Sequence, residues 1–245
     1  MPETADFGFR EVPAGDKARL VREVFDSVAG RYDVMNDLMS GGLHRAWKAA
    51  LMDWLAPQPN AHLLDVAGGT GDIALRYRKR GGGPVTVCDI NAEMLEVGRV
   101  KARSKGLDAG IDWVVGDAER LPMADSSVDL YTIAFGLRNV TDIDAALAEA
   151  RRVLKLGGRM ICLEFSRLAV PALDPIYDAY SFKVVPQIGQ LVAKDREAYQ
   201  YLVESIRRFP DQDRLVTRMH DAGLEQVRYR NLSGGIAAMH SAWKL

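Results

Sequence analysis

The spacing of apolar residues changes along the chain. From residue 62 onward, short apolar runs alternate with longer stretches whose apolar positions recur at helical spacing. This alternation is typical of βαβ units and predicts an open α/β fold with a mostly parallel sheet. The predicted strands cover residues 62–67, 84–90, 111–115, 128–135 and 159–165. The predicted helices between them cover residues 72–80, 92–105 and 142–154, with Gly157 and Gly158 closing the last one.

The alternation of strand and helix patterns ends after the fifth predicted strand. An aromatic-rich stretch predicts a helical insertion over residues 170–210. A helix at residues 212–222 then leads to two apolar runs, 224–231 and 236–243, separated by a Leu-Ser-Gly-Gly turn. These runs predict a terminal antiparallel hairpin. The expected fold class is therefore α/β and Rossmann-like, with a mostly parallel seven-stranded sheet that ends in an antiparallel hairpin.

The N-terminal part of the chain has a different pattern. Residues 1–15 are polar and contain proline and glycine, which predicts a flexible N-terminus. Apolar positions in residues 17–30 share one helical face, and residues 43–51 repeat the spacing. We expect a helical cap at residues 16–58, within one domain at residues 16–245. The cap either simply covers the sheet or forms a substrate lid or membrane-facing surface.

Composition narrows the partners and the location. The 245 residues carry a net charge of -1 without a long basic run, so nucleic acid is not an expected partner. Cys88 and Cys162 lie alone in apolar runs and are expected to be reduced core residues. The four histidines lack ligand spacing, which predicts no metal site. With no signal peptide and no membrane span in the sequence, we expect a cytoplasmic chain.

Residues 65–72, with the sequence DVAGGTGD, are the most informative run. They leave a predicted strand and open a predicted helix. Gly69 and Gly71 permit a tight turn and close approach of a ligand to the backbone, and the N-terminus of a helix offers unpaired N–H groups. The run, which includes Thr70, therefore predicts a nucleotide-like cofactor site. A plain glycine-rich turn is the alternative.

Two cofactors fit this turn. Residues 69–74 also satisfy the G-x-G-x-x-A pattern of dinucleotide-binding folds. However, Asp72 would lie where a pyrophosphate binds, and two like charges ~4 Å apart repel by about 4 kcal/mol at an effective dielectric of 20. S-adenosylmethionine has no phosphate and carries a sulfonium and an ammonium. Asp65 and Asp72 therefore favour S-adenosylmethionine over NAD.

Two further strand ends complete the predicted cofactor site. Asp89, followed by Ile90, ends the second strand, where a carboxylate can accept both hydroxyls of an adenosine ribose. Asp117 follows the third strand and could accept the adenine amino hydrogens, while the Ala118 N–H could meet a ring nitrogen. A solvated turn carboxylate is the alternative for Asp117.

Several further stretches carry a resemblance to a known family. They are YDVMNDLMS at residues 32–40, GLHR at 42–45, FGLRNVTD at 135–142, RVLK at 152–155, LEFS at 163–166 and YDAYSF at 177–182. Together with the glycine-rich turn, they resemble the ubiquinone/menaquinone biosynthesis C-methyltransferases. The resemblance extends from about residue 7 to the C-terminus. The glycine-rich turn occurs in many methyltransferases, whereas the stretches around residues 32, 135 and 177 are specific to this family.

The resemblance implies methyl transfer from S-adenosylmethionine to a ring carbon of a polyprenyl benzoquinol or of demethylmenaquinol. The donor-site pattern of the family carries over to Thr70, Asp89, Asp117 and Ala118. Some relatives have Asn in place of Asp117 and Ser in place of Ala134, so a hydroxyl contact to the donor is not expected at 134. A prenylated substrate implies contact with the inner face of the membrane or extraction from it, and other quinone-biosynthesis enzymes as partners.

The implied chemistry requires activation of the ring. A phenol with a pKa near 10 is ionised to about one part in a thousand at pH 7, so reaching the phenolate costs about 4 kcal/mol. Arg138 and Asn139 follow the fourth strand, at the edge of the sheet where ligands bind, and a guanidinium there would stabilise a phenolate. The base is water, His44, Tyr180 or Asp178. A structural salt bridge is the alternative for Arg138, and structural roles for the other three.

Two other functions remain open at this stage. One is a methyltransferase of a different small molecule, which would share the glycine-rich turn. The other is a non-catalytic subunit that keeps the fold without the chemistry. The intact turn, with Asp65, Gly69, Gly71 and Asp89, argues against the second.

Overall fold

The computed structural model describes residues 3–28, 37, 40–168 and 196–245. Its main feature is a seven-stranded sheet, which confirms the predicted fold class. Its strands are β3 (Leu63–Val66), β4 (Val85–Asp89), β5 (Ile111–Val115), β6 (Val128–Ala134), β7 (Leu154–Phe165), β8 (Glu225–Leu232) and β9 (Ala237–Trp243). Five of them are parallel, in the order β5-β4-β3-β6-β7. Beyond β7, β9 pairs antiparallel with β7, and β8 pairs antiparallel with β9.

Helices cover both faces of the sheet. They are α1 (Ala14–Val28), α2 (His44–Leu55), α3 (Asp72–Lys79), α4 (Ala92–Ser104), α5 (Ile143–Val153), α6 (Arg196–Arg208) and α7 (Gln212–Asp221). One apolar cluster packs α2 and α3 against the sheet together with parts of α1, α4 and α6, and a second cluster packs α5 and α7 against the other face. Asn91 and Asp142 cap α4 and α5, because each side chain accepts two backbone N–H groups of the first turn.

The N-terminus differs from the flexible segment that its polar composition predicts. Strands β1 (Thr4–Phe7) and β2 (Arg10–Pro13) pair as an antiparallel hairpin, and α1 follows directly. Phe7 is buried, and its ring stacks on that of Tyr201 in α6 at a centroid distance of 4.3 Å. This contact joins residues nearly two hundred positions apart, so no local pattern could indicate it.

Gly157 and Gly158 do not close α5, contrary to the sequence prediction. The helix ends at Val153, and β7 begins at the next residue. The register between β6 and β7 shifts near the start of the pair, and Gly157 adopts a φ of 77° there. A Cβ on Gly158 would lie 2.8 Å from a backbone oxygen. The glycines therefore serve a strand irregularity.

Part of the predicted insertion lies outside the described residues. The predicted range is 170–210, and its described portion begins at residue 196 with α6. Tyr180 and most of the stretch at residues 32–40 also lie outside the described residues. Among the helices that the structure describes, none is long and apolar enough to cross a membrane.

Two glycines allow Trp113 of β5 to pack beneath the glycine-rich turn. A Cβ on Gly71 would lie 2.5 Å from the indole ring, and a Cβ on Gly98 of α4 would lie 2.4 Å from it. Gly71 also adopts a φ of 72°. The indole thus joins the turn, α4 and β5, and each glycine leaves the space that the ring needs.

We predict that Gly98→Ala destabilises the protein, although alanine is normally favoured over glycine in a helix by about 1 kcal/mol. Overpacking against the indole should cost about 1–3 kcal/mol in the free energy of unfolding. Gly15→Ala is the matched control, since Gly15 lies in α1 with open space around it and should gain up to about 1 kcal/mol. Urea denaturation measures both, and a stabilised Gly98→Ala variant would refute the packing argument.

Candidate active site

The candidate site lies at the edge of the sheet where the carboxyl ends of β3, β4, β5 and β6 meet. Ligands bind at this edge in open α/β sheets. Asp89 ends β4, and its carboxylate accepts the Gly69 N–H at 2.8 Å and the Asn91 N–H at 2.9 Å. Burial raises the pKa of Asp89, while these backbone N–H groups favour its ionised form. The carboxylate is thereby held at the edge beside the glycine-rich turn.

The turn itself has the geometry that its sequence predicts. Gly69 and Gly71 adopt left-handed φ angles of 53° and 72°, and Gly71 precedes the first residue of α3. A Cβ on Gly68 would lie 2.6 Å from the Val87 side chain and 3.0 Å from the backbone oxygen of residue 65. Only glycine fits this close approach. Thr70 is buried within the turn.

Two adjoining clefts, of about 80 and 70 Å³, lie between this edge and α1. Both are bordered by Asp89, Ile90 and Asn139, and one also by Gly69. Asp117 and Ala118, for which contacts to the adenine are predicted, line the second cleft. The structure therefore brings most of the predicted cofactor-binding residues to one place, whereas Asp65, Thr70 and Gly71 do not border the clefts.

Helix α1 forms the roof of the clefts. Val21 lines both of them, Ala18 lines one, and Phe25 the other. Lys17, although only 6% exposed, donates from Nζ to the backbone oxygen of Val140 at 2.7 Å and ties the roof to the opposite wall. The apolar periodicity indicated a covering face, but sequence reasoning missed Lys17, since a lysine in an amphipathic helix is normally exposed.

Asp65 lies beneath the turn instead of facing the clefts. Its side chain is buried, Oδ1 accepts the Thr132 hydroxyl at 2.8 Å, and Oδ2 has no hydrogen-bond partner among the described residues. Burial raises the pKa of Asp65 to about 7, against the opposing effects of the Thr132 hydrogen bond and the nearby Lys48 ammonium. Asp65 is therefore partly protonated at neutral pH.

Asp72 is not a free carboxylate, although the predicted repulsion between Asp72 and the pyrophosphate of NAD requires one. Its Oδ2 accepts a hydrogen bond from Lys48 of α2 at 2.9 Å and lies 3.3 Å from Nε of Arg76. Burial opposes ionisation, but these two cations hold the pKa of Asp72 well below its usual value. The charge at the start of α3 is thus neutralised, so repulsion of a pyrophosphate at this position is weaker than the sequence suggested.

Arg138 forms a buried ion pair. Its Nη1 donates to Glu164 Oε1 at 2.9 Å and to the backbone oxygen of Phe135, and both charged side chains are almost fully buried. Burial raises the pKa of Glu164, and the Arg138 charge opposes that shift. Arg138 therefore forms a structural salt bridge, the alternative to a catalytic role that the sequence left open. Arg138 also borders a cavity of about 400 Å³ next to the clefts.

The other proposed catalytic residues differ in position. Asn139 borders both clefts, and its Oδ1 accepts the Tyr201 hydroxyl at 3.1 Å. His44 is buried, and its Nε2 lies 2.8 Å from Asp37 Oδ1. Burial lowers the pKa of His44 below its ordinary value. His44 does not border the clefts or the cavity, and Tyr180 lies outside the described residues.

No three His, Cys, Asp or Glu side chains in the described part of the chain come together as metal ligands. That the chain binds no metal, as the histidine spacing indicates, stays a prediction.

The fold is that of an open α/β sheet with a ligand-binding edge, and solved S-adenosylmethionine-dependent methyltransferases share it. A SAM-dependent methyltransferase from Aquifex aeolicus has the same fold, with a TM-score of 0.58, 18% identity and coverage of 81% of this chain and 89% of that one. Geranyl diphosphate C-methyltransferase from Streptomyces coelicolor A3(2), solved with S-adenosyl-L-homocysteine, has a TM-score of 0.60, 18% identity and coverage of 84% and 82%.

The family follows from the sequence comparison. The chain belongs to the ubiE/COQ5 methyltransferase family, whose model matches residues 13–244. It is 61% identical to the ubiquinone/menaquinone biosynthesis C-methyltransferase UbiE of Acidiphilium cryptum over 243 residues, which cover 99% of this chain and 98% of that relative. The family resemblance of the sequence analysis is confirmed.

The raised pKa of Asp65 predicts a pH effect on stability. In the unfolded chain an aspartate titrates near pH 4, so between about pH 4 and 7 only the folded protein holds this proton. The stabilising contribution is present below pH 4 and is lost as the pH rises through 7. Asp65→Asn, which does not titrate, should therefore gain stability relative to wild type between pH 4 and pH 8.

The gain should be of the order of a few kcal/mol, since one pKa unit corresponds to about 1.4 kcal/mol. Urea denaturation without donor at several pH values measures it. Asp112→Asn, at an exposed carboxylate of β5, is the matched control and should show no comparable gain. A difference between Asp65→Asn and wild type that is independent of pH would contradict the raised pKa.

Proposed function

We propose that the chain transfers a methyl group from S-adenosylmethionine to a ring carbon of a polyprenyl benzoquinol, of demethylmenaquinol, or of both. The observation that carries the proposal is the position of Arg138 and Asn139, on one turn between the donor clefts and the 400 Å³ cavity. Relatives that are 55–61% identical over nearly the whole chain are named as C-methyltransferases of ubiquinone/menaquinone biosynthesis.

The residues of the clefts suit the proposed donor. The Asp89 carboxylate would accept the ribose hydroxyls, Asp117 would accept the adenine amino hydrogens, and the Ala118 N–H would meet a ring nitrogen. Gly69 supports this assignment, because a Cβ there would project toward Met94 and the Asp89 carboxylate, and all three residues border the same cleft. When bound, S-adenosylmethionine supplies an electrophilic methyl group on a positively charged sulfur.

The chain's part in the chemistry is to favour the phenolate and to align its ring. Ionising the phenol at neutral pH costs about 4 kcal/mol, and a nearby guanidinium lowers that cost. A guanidinium is not a general base, so the phenol proton goes to water or to a second side chain. Because Glu164 neutralises part of the Arg138 charge, the strength of this effect depends on how Glu164 is placed.

The roof of α1 would exclude water from the donor. Val21 and Phe25 are apolar and border the clefts from α1. The long prenyl tail requires the enzyme to meet its substrate at the inner face of the membrane or to extract it. We include this peripheral membrane contact, and contact with other quinone-biosynthesis enzymes, in the proposal.

The direct test is to incubate the purified chain with methyl-labelled S-adenosylmethionine and with each quinol separately, and to identify the methylated lipid by mass spectrometry. We expect the label on a ring carbon of at least one quinol. Labelling of a different small molecule, with both quinols untouched, would favour the alternative of another methyltransferase. Tight donor binding without turnover on any substrate would favour a non-catalytic subunit.

The role of Arg138 needs a variant that keeps the fold. Arg138→Gln alone would leave Glu164 buried and unpaired, at a cost of about 3–5 kcal/mol. We therefore predict the behaviour of the double variant Arg138→Gln, Glu164→Gln, which replaces the ion pair by two neutral amides. It should fold and bind donor, while methyl transfer slows by about 10² to 10³. Part of the rate should return as the pH approaches the phenol's own pKa.

The Lys155–Asp129 pair at the opposite edge of the sheet offers a matched control, with Lys155→Gln and Asp129→Asn together. This control should retain the wild-type rate. If the double variant at 138 and 164 also methylates quinol at the wild-type rate at pH 7, the ion pair is purely structural.

A further inference from the structure

Tyr201 of α6 has a position that the proposed chemistry does not yet use. Its ring stacks on Phe7 of the N-terminal hairpin, and its hydroxyl reaches Asn139 Oδ1 at 3.1 Å. Only 4% of Tyr201 is exposed, whereas Asn139 is partly exposed and borders both clefts. One buried phenol therefore contacts one polar side chain of the site.

The hydrogen bond between these two groups has a defined direction. Burial raises the pKa of the Tyr201 phenol, so the hydroxyl keeps its proton and can donate it. Among the described residues, Asn139 Oδ1 is the acceptor that this hydroxyl reaches. If the amide were reversed, Nδ2 would donate to the phenol oxygen and leave the buried hydroxyl proton without an acceptor. The bond therefore fixes Oδ1 toward Tyr201.

The fixed amide keeps its Nδ2 group available. Asn139 borders both clefts, and no hydrogen bond from its Nδ2 is present within the described ranges, so Nδ2 is available to donate to a ligand. An N–H group suits an oxygen that carries negative charge, and a donor that is already oriented stabilises such charge without reorganisation. An unfixed amide could instead present its oxygen, which would repel a phenolate.

We propose that Tyr201 is a positioning residue, whose hydroxyl orients the Asn139 amide so that Nδ2 donates to the quinol oxygen that becomes negative during methyl transfer. This inference rests on the proposed quinol substrate. Tyr201 of α6 thus takes part in the reaction through its hydrogen bond to Asn139 and does not itself contact the substrate.

The test is a double-mutant cycle on methyl transfer to quinol. Tyr201→Phe removes the hydroxyl and keeps the ring that stacks on Phe7, so the hairpin contact is preserved. We expect kcat to fall about tenfold, less than the roughly 100-fold loss expected for Asn139→Ala, while donor affinity stays unchanged. In the Asn139→Ala background, Tyr201→Phe should have no further effect, because its only route to the reaction is gone.

Tyr77→Phe is the matched control. Tyr77 is also fully buried, and its hydroxyl donates to the backbone oxygen of Ala61 at 2.8 Å, at the far edge of the sheet. It should lower stability without changing kcat. Three outcomes would overturn the proposal: an unchanged kcat for Tyr201→Phe, losses that multiply in the double variant, or a loss of donor affinity in place of kcat.

A readout without turnover separates this inference from the proposed substrate. The side-chain amide signals of Asn139 in an NMR spectrum, assigned by their loss in Asn139→Ala, report the orientation directly. We expect one sharp pair in the wild type and exchange-broadened signals in Tyr201→Phe. If the wild type methylates no quinol, the proposed function fails while this spectrum still tests the orientation. Identical amide signals in wild type and Tyr201→Phe would overturn the positioning role.

Discussion

The geometry of the proposed donor site depends on one interaction, the hydrogen bond from the Gly69 N–H to the Asp89 carboxylate. It joins the turn after β3 to the end of β4, and the second carboxylate oxygen accepts the Asn91 N–H. The turn can reach Asp89 only because Gly69 adopts a left-handed φ and Gly68 allows close packing on Val87. The parallel register of β3 and β4 sets these groups side by side. Asp89, Gly69 and Asn91, which these hydrogen bonds join, all border the same cleft.

The charged side chains near the Gly69–Asp89 hydrogen bond form ion pairs with one another outside the clefts. Lys48 and Arg76 neutralise Asp72, and Glu164 neutralises Arg138. A buried charge without a partner is costly, so these pairs are expected physically. Their consequence is that donor binding at the proposed site would rely on a few oriented hydrogen-bonding groups and not on a strong net field. Recognition of S-adenosylmethionine there would rest on the proposed nucleoside contacts at the strand ends more than on repulsion of phosphate.

Sequence reasoning succeeded where the determining pattern is local. The five parallel strands follow from apolar periodicity, and the turn follows from glycines between a strand and a helix. The position of Asp89 and Asp117 beside the clefts was predictable because a carboxylate at a strand end lies at the ligand-binding edge of an open parallel sheet. The terminal hairpin β8–β9 was equally visible, since a glycine-containing turn separates two apolar runs.

The unpredicted features depend on residues that are distant in sequence. Lys48 meets Asp72 across 24 positions, and Arg138 meets Glu164 across 26, so a list of candidate charges could not show which were already paired. The N-terminal hairpin depends on Phe7 meeting Tyr201, which no local pattern encodes. A helix end and a strand irregularity both use the backbone freedom of glycine, so their sequences look alike. Gly157 and Gly158 therefore predicted a helix end where the structure has a strand irregularity.

The central claim is that Asp89 holds the donor at this edge, and calorimetric titration with S-adenosylmethionine tests it most directly. Charge-assisted hydrogen bonds are worth about 1.5–3 kcal/mol each, so Asp89→Ala should weaken binding by at least about tenfold. Asp112→Ala, at the exposed carboxylate of β5, should bind like the wild type. If folded Asp89→Ala binds the donor with wild-type affinity, Asp89 does not hold the donor and the site lies elsewhere.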